Sequence, residues 1–356
     1  MNEILNQFDL ESKSYQYGIY GNGHINVTYL VEHRPRFILQ KINTQVFKNP
    51  EGVMSNIVAV TSHLRKKIAA AGGNPDRGTL TPIFTKDGKP FLKTAEGDYY
   101  RAYLFIEDAV TYDQVENADQ MYYAAREFGK FQNMLADFPA ETLFEVIPHF
   151  HDTRDRFRQL KEAVENNIAG RRDAVAEEIA FVFAREADCG IVLDSIADGS
   201  IPLRVTHNDT KLNNVMLDPK TGEGICVVDL DTVMPGSLLY DFGDSLRFGA
   251  SSAAEDETDL DKVYFRLDYF EAYVRGFVEE LGNKMTAREI ELLAFSAKLL
   301  TLECGMRFLA DYLNGDTYFR IHRPDHNLDR CRTQFKLVAD MEKKMDEMKK
   351  IVAKYI

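Results

Sequence analysis

Cysteine is scarce. Cys189, Cys226, Cys304 and Cys331 are the only four in 356 residues, and no Cys-x-x-Cys pair occurs. That spacing excludes a disulfide framework and a zinc knuckle and fits a reducing compartment. Cys226 and Cys304 lie in apolar stretches and read as small buried hydrophobes. No apolar run reaches the ~18 residues a membrane span needs, and Met1–Phe8 is too polar for a secretory leader. The expectation is a soluble, cytoplasmic protein with no membrane partner. Positive charge is also short: 43 Lys and Arg against 56 Asp and Glu leave a net charge of −13. That balance argues against nucleic acid or an anionic membrane as the main partner. There is no Walker A sequence, no glycine fingerprint opening a helix after a strand, and no repeat. What is present is 45% apolar, ordinary for a globular enzyme, on a chain long enough for two lobes.

The chain is organised around Val205–Asp231. His207-Asn-Asp209-Thr-Lys211-Leu-Asn-Asn214 precedes a short strand (215–217), an Asp218-Pro-Lys-Thr-Gly222 turn, a second apolar strand (225–228) and then Asp229. This layout fits the working end of a kinase. Asp209 is expected to orient an attacking hydroxyl and accept its proton, with Lys211 neutralising the transferring phosphoryl group. The two strands can form a hairpin that returns Asp229 to the side of Asn214. Asn214 and Asp229 then supply oxygen ligands to Mg²⁺, a hard cation that keeps waters and leans on phosphates.

Asp241-Phe242-Gly243 spells the metal triplet of protein kinases, but it lies 32 residues after Asp209 and follows Pro235-Gly236 rather than a strand. The metal role therefore goes to Asp229. Asp241 is expected to brace the catalytic loop by accepting its backbone N–H bonds.

The run from His207 to Asn214, then Val-Asp229-Leu-Asp231-Thr-Val-Met-Pro-Gly and Tyr240-Asp-Phe-Gly-Asp244, resembles the aminoglycoside phosphotransferase/choline kinase superfamily. Within it the sequence is most similar to the N-acetylhexosamine 1-kinases. Gly21-Asn-Gly-His24-Ile-Asn, His149-Phe-His-Asp-Thr153 and Glu303-Cys-Gly-Met-Arg307-Phe-Leu-Ala-Asp311 agree with that family, so the resemblance covers nearly the whole chain. It implies transfer of phosphate from ATP to the anomeric hydroxyl of a small-molecule sugar, N-acetylglucosamine or N-acetylgalactosamine. It also implies a bilobal α+β fold: a small antiparallel-sheet N-lobe over residues 1–107 and a mainly helical C-lobe over 108–356. The resemblance assigns sugar contacts to His24, Arg307 and Tyr318, beside Asp209.

Taken in order, residues 1–14 read as an amphipathic helix, and strands flank Gly21, Asn22 and Gly23, whose backbone amides are positioned for phosphate oxygens. The third strand carries Gln40 and Lys41 on opposite faces. One of them faces the cleft, with Lys41 the candidate for pairing ATP phosphates and Gln40 the alternative. Only Glu51 lies near the start of the next helix (about 50–70) as an acidic partner. The apolar strand ending in Phe105-Ile106-Glu107 corresponds in the superfamily to the hinge, whose main chain bonds adenine; Phe105 and Glu107 are its cofactor-binding candidates. Apolar periodicity predicts helices over 119–138, 152–166, 172–188, 258–281, 286–313 and 326–352, with a loop over 245–257. Thr286-Ala-Arg-Glu289 is a capping box. A zinc reading of His149-Phe-His151 finds no third ligand at familiar spacing.

The sequence thus predicts a monomeric ATP·Mg²⁺-dependent N-acetylhexosamine 1-kinase. Two rivals stand beside it: a kinase of the same superfamily acting on an amino alcohol, amino acid or aminoglycoside (choline, homoserine or aminoglycoside type), and a catalytically dead nucleotide-binding module. Arg307 weighs against a cation, and the full set of base and metal residues weighs against a dead module.

Overall fold

A computed structural model describes residues 1–11, 14–21 and 25–356. Strands β1 (Gln16–Ile19), β2 (Val27–Glu32), β3 (Phe37–Ile42), β4 (Pro82–Ile83), β5 (Leu92–Lys93) and β6 (Tyr99–Leu104) form one antiparallel sheet. Its order is β1-β2-β3-β6-β4, with β5 also paired to β6. Period-two alternation divides its faces. Leu39, Tyr100 and Ala102 turn to a small core closed by Leu5, Phe8 and Tyr15 from the N-terminal segment. The expected helix over 1–14 shrinks to Asn2–Leu5. Ile42, Tyr99 and Tyr103 turn the other way, into the main core.

The helix Pro50–Ala70 begins at Asn49, whose side chain accepts from Gly52 N at 2.9 Å, with Pro50 at the first helical position. Met54, Ile57, Val60 and Leu64 form its buried stripe. Asn56 on the same helix donates to Phe144 O (2.8 Å) and Val233 O (2.9 Å) and accepts from Phe144 N (2.8 Å), tying the helix to the C-lobe.

The remainder is mostly helical. Ala118–Met134 packs along Leu267–Leu281, and Gly276 lets the two approach so closely that a Cβ there would strike Tyr122 O. Thr286 and Glu289 make the predicted capping box opening Ala287–Leu313, against which His326–Tyr355 lies. The span predicted as one helix over 172–188 divides into a 3-10 turn, the helix Ala176–Phe183 and a second 3-10 turn. The expected loop over 245–257 yields its first five residues to the helix Leu238–Gly249. Glycine and serine weaken helix propensity there, but nearly every residue is buried, and tertiary packing prevails. Two small ladders lie at the cleft: β7 (Arg204–Thr206) with β10 (Met234–Gly236), and β8 (Val215–Leu217) with β9 (Gly224–Val227).

Candidate active site

The loop after β7 is held from three sides. His207 N and Asn208 N donate to the two oxygens of Asp241 at 2.9 and 2.8 Å, and Gln132 Nε2 donates to the same carboxylate at 2.6 Å. Asp241 is fully buried, and burial raises its pKa even against these donors. It braces the loop as expected and contacts no metal position. His207 faces Val228 O through Nε2 (2.9 Å) and Asp209 N through Nδ1 (3.3 Å), so the neutral Nε2–H tautomer satisfies both. Asn208 adopts a left-handed conformation, φ 66°, stabilised as its amide donates to Thr232 O at 2.8 Å.

These restraints present Asp209 at the cleft, partly exposed. Lys211 Nζ lies 2.8 Å from Asp209 Oδ1, and Asn214 Nδ2 lies 2.8 Å from Asp209 O and 3.3 Å from Oδ2. Burial works against the Lys211 charge, but Asp209 and Asp244 outweigh it and raise its pKa. The β8–β9 hairpin forms as predicted. Val228 N donates to Asn214 O at 2.9 Å, which sets Asp229 beside Asn214. Asp229 also adopts φ 58°. Burial, then the neighbouring Asp231 and Asp209 charges, push its pKa up to about 6. The four predicted residues Asp209, Lys211, Asn214 and Asp229 therefore converge.

Among the described residues no group of three or more His, Cys, Asp or Glu could hold a metal by itself. The donors at hand are the Asp229 carboxylate and Asn214 Oδ1. So sparse an oxygen set suits Mg²⁺ arriving on phosphates, and a divalent cation would relieve the carboxylate crowding that raises Asp229.

Above them lies a cavity of ≈ 180 Å³ lined by Tyr20, Gln40, Arg101, Tyr103, Phe105 and Asp229, among others. Here one prediction is corrected. Gln40 faces the cleft, and Lys41 points to the opposite face, where its ammonium meets Asp98 Oδ2 at 2.5 Å. The strand's alternation permits only one of the two inside, and the amide is the one. Glu51 accepts from the Tyr99 hydroxyl at 3.0 Å instead of pairing with a lysine. The buried cation in the cleft is Arg101 on β6, directly opposite Gln40 in register and ion-paired with Asp231. Arg101 and Asp231 were missed from sequence. A lone charge inside Tyr-Tyr-Arg-Ala-Tyr was the available signal.

Phe105 lines the cavity. Glu107 does not: Arg36 draws its carboxylate outward, with Nε donating at 2.9 Å, and its carbonyl accepts from Arg77 Nη1. Among the described residues the buried Tyr103 hydroxyl has no hydrogen-bond partner, although its side chain lines the cavity. Gly21 adopts φ 74°, as a glycine turn requires. Asn22, Gly23 and His24, predicted for phosphate and sugar contacts, lie outside the described residues.

Arg307 and Tyr318 come together. The guanidinium lies 5.5, 5.9 and 5.4 Å from the ring centres of Phe150, Tyr318 and Phe319, beside a cavity of ≈ 330 Å³. Among the described residues no carboxylate lies within ion-pairing distance of Arg307. Glu303, one turn earlier, accepts from His151 Nδ1 at 2.8 Å and from the Thr153 hydroxyl at 2.5 Å. His151 Nε2 faces Asn208 O at 3.3 Å, so this helix touches the catalytic loop through one imidazole.

No helix among the described residues is long and apolar enough to cross a membrane. Solved structures share the fold at low identity. An aminopropanol kinase associated with a microcompartment superposes with TM-score 0.61 at 15% identity, covering 98% of this chain and 97% of that one. A spectinomycin phosphotransferase bound to ADP and spectinomycin gives 0.55 at 13%, covering 94% and 93%. A choline kinase from Streptococcus pneumoniae gives 0.51 at 14%, covering 91% and 93%. At sequence level, residues 19–275 match the phosphotransferase enzyme family, a span that includes the glycine turn, the hinge, the catalytic loop and Asp229. The chain therefore belongs to the phosphotransferase enzyme family and carries its small-molecule kinase fold.

Proposed function

We propose that this kinase transfers the γ-phosphoryl group of ATP to the anomeric hydroxyl of an N-acetylhexosamine. Asp209 orients that hydroxyl and takes its proton as the new O–P bond forms and the bond to the leaving ADP oxygen breaks. Lys211, already beside Asp209, offsets charge on the transferring group. Asn214 and Asp229 hold Mg²⁺, which neutralises phosphate charge when bound. Asp241 keeps the loop rigid, so the reacting groups meet in line without reorganisation.

One observation carries the choice of substrate. Phe150, Tyr318 and Phe319 make the kind of aromatic enclosure that captures an ammonium ligand, but the chain's own Arg307 occupies it. An amino alcohol or aminoglycoside would meet a fixed positive charge there. A neutral, hydroxyl-rich sugar would meet guanidinium N–H donors and aromatic faces instead. The neighbours named for aminopropanol, spectinomycin and choline share the fold, and this position argues that they do not share the substrate.

The test is ADP release with ATP·Mg²⁺ across N-acetylglucosamine, N-acetylgalactosamine, glucose, choline, homoserine and kanamycin. Turnover confined to the N-acetylhexosamines, with an acid-labile, alkali-stable 1-phosphate product, supports the reading. Turnover only with a cationic compound keeps the kinase chemistry and overturns the roles of Arg307 and Tyr318.

A further inference from the structure

In the kinase pattern a lysine on the third strand pairs with the nucleotide phosphates and is itself held by a glutamate on the following helix. Neither member is in place here. The cleft-facing residue of β3 is the neutral Gln40, Lys41 is turned to Asp98 on the far face, and Glu51 serves Tyr99.

Arg101 reaches the same space from the next strand. Its side chain is 2% exposed. Nε donates to Gln40 Oε1 at 2.9 Å, and Nη1 meets Asp231 Oδ1 and Met54 Sδ, the latter at 3.9 Å. Among the described residues Nη2 has no acceptor, although Arg101 lines the cavity that also holds Asp229. Asp231 is fixed in turn by Asn26 Nδ2, which donates to Oδ2 at 2.6 Å, and Gln40 is fixed by donating to Thr28 Oγ1 at 3.0 Å. The guanidinium is therefore held through Nε and Nη1 and left open at Nη2. Phe105, just beyond β6, and then Tyr103 and Arg101 on one face of the strand line the cavity that Asp229 also lines. That is the order in which base, ribose and phosphates would lie.

We propose that Arg101 is the phosphate-binding cation of this enzyme and that Asp231 positions it, the pair replacing the lysine and glutamate of the kinase pattern. With Nε and Nη1 committed, Nη2 keeps its N–H donors for an α- or β-phosphate oxygen, and the planar group fixes their direction in a way that a rotating ammonium does not. Because Asp231 follows Asp229 by two residues, the arginine spans the lobes and ties phosphate capture to the metal loop. The inference rests on the nucleotide-dependent reading above, so its test separates binding of phosphate from binding of base.

Affinities for ADP, AMP and adenosine would be measured by calorimetry without metal, for wild type, R101K, and the double variant R101Q/D231N. Removing both members of the pair leaves no stranded buried charge, so the double variant keeps the fold. In the double variant, where Arg101 is gone, the absence of the Asp231 carboxylate can only favour an anion. A weaker ADP complex therefore reports the loss of Arg101. The expected result is about a ten-fold or greater loss for ADP with adenosine within about two-fold of wild type, and an intermediate loss in R101K. Adding Q40K to the double variant restores a cation to the cleft and should recover most of the ADP affinity. A folded double variant that preserves the wild-type gap between ADP and adenosine overturns the inference. Equal losses for all three ligands also overturn it, because they mark a structural role. Wild type that binds neither ADP nor adenosine overturns the nucleotide reading itself.

Discussion

His151 and Glu303 meet at 2.8 Å although 152 residues separate them in sequence, and both are almost wholly buried. The other ring nitrogen faces Asn208 O at 3.3 Å. Both nitrogens thus point at oxygen acceptors, which only the doubly protonated ring satisfies. Burial acts against that charge as the largest single influence, but the Glu303 charge and hydrogen bond, with Asp244, outweigh it and raise the His151 pKa above 6.5. The Glu303 pKa is lowered: burial opposes this, and the His151 charge and the Thr153 hydroxyl overcome it.

The sign of the pH dependence follows. A histidine raised in the folded state stabilises fully below its unfolded value, and that contribution is lost as pH rises through the folded value. Thermal melts of wild type should therefore fall on the alkaline side of about 6.5, while Glu303→Gln melts lower throughout and loses that slope. Breaking a buried pair from one side costs about 3 kcal/mol. Parallel slopes for the two proteins would remove the pair from the account.

Asp229 moves stability in the same direction, lost as pH rises toward about 6, but through a charge that the fold disfavours. Its pKa is pushed up to about 6, so its charged form at neutral pH disfavours the folded state. Asp229→Asn, which also tolerates the left-handed backbone, should raise the metal-free stability by about 2 kcal/mol and nearly abolish turnover. A lowered melt with retained activity would contradict both roles given to this carboxylate.

Asp209→Asn leaves the loop's backbone bonds intact, because those go to Asp241 rather than to Asp209. The melt should stay within about 1 kcal/mol of wild type while turnover falls by ~10³-fold or more. Most activity retained in a folded variant would refute the mechanism.

Asp241→Ala removes acceptors from His207 N, Asn208 N and Gln132 Nε2 at one stroke. Each is a buried donor left unsatisfied, so a loss of about 3–5 kcal/mol is expected, read by denaturant titration.

Arg307→Met should raise KM for the proposed N-acetylhexosamine about ten-fold or more with KM for ATP unchanged, because the aromatic cavity and the cleft cavity share no lining residue. Equal effects on both constants would mark a folding defect.

What could be read from sequence was what is local. The chemistry at Asp209, Lys211, Asn214 and Asp229 spans 21 residues and a single hairpin, so spacing alone brings it together. The Thr286 capping box was legible for a similar reason, and the bracing role of Asp241, whose backbone partners are 34 and 33 residues away, followed from its distance from the catalytic motif and from any predicted strand. Arg101 and Asp231 stand 130 residues apart, and their meeting depends on strand register that no local pattern encodes. Alternation put Gln40 and Lys41 on opposite faces but could not say which face was inside. That choice falls to Leu39, Tyr100 and Ala102, which draw Lys41's face toward the N-terminal segment. The extent of the helix Leu238–Gly249 was hidden because burial, not propensity, sustains it.

Asn56 gives the enzyme a mechanical connection that its order along the chain does not show. All three of its side-chain bonds go to Phe144 and Val233, so the helix Pro50–Ala70 is riveted to the lower half despite being encoded among the strands of the upper one. The same helix also grips the sheet, through Glu51 accepting from the Tyr99 hydroxyl and Met54 beside Arg101, so it is the linchpin through which the two halves are joined.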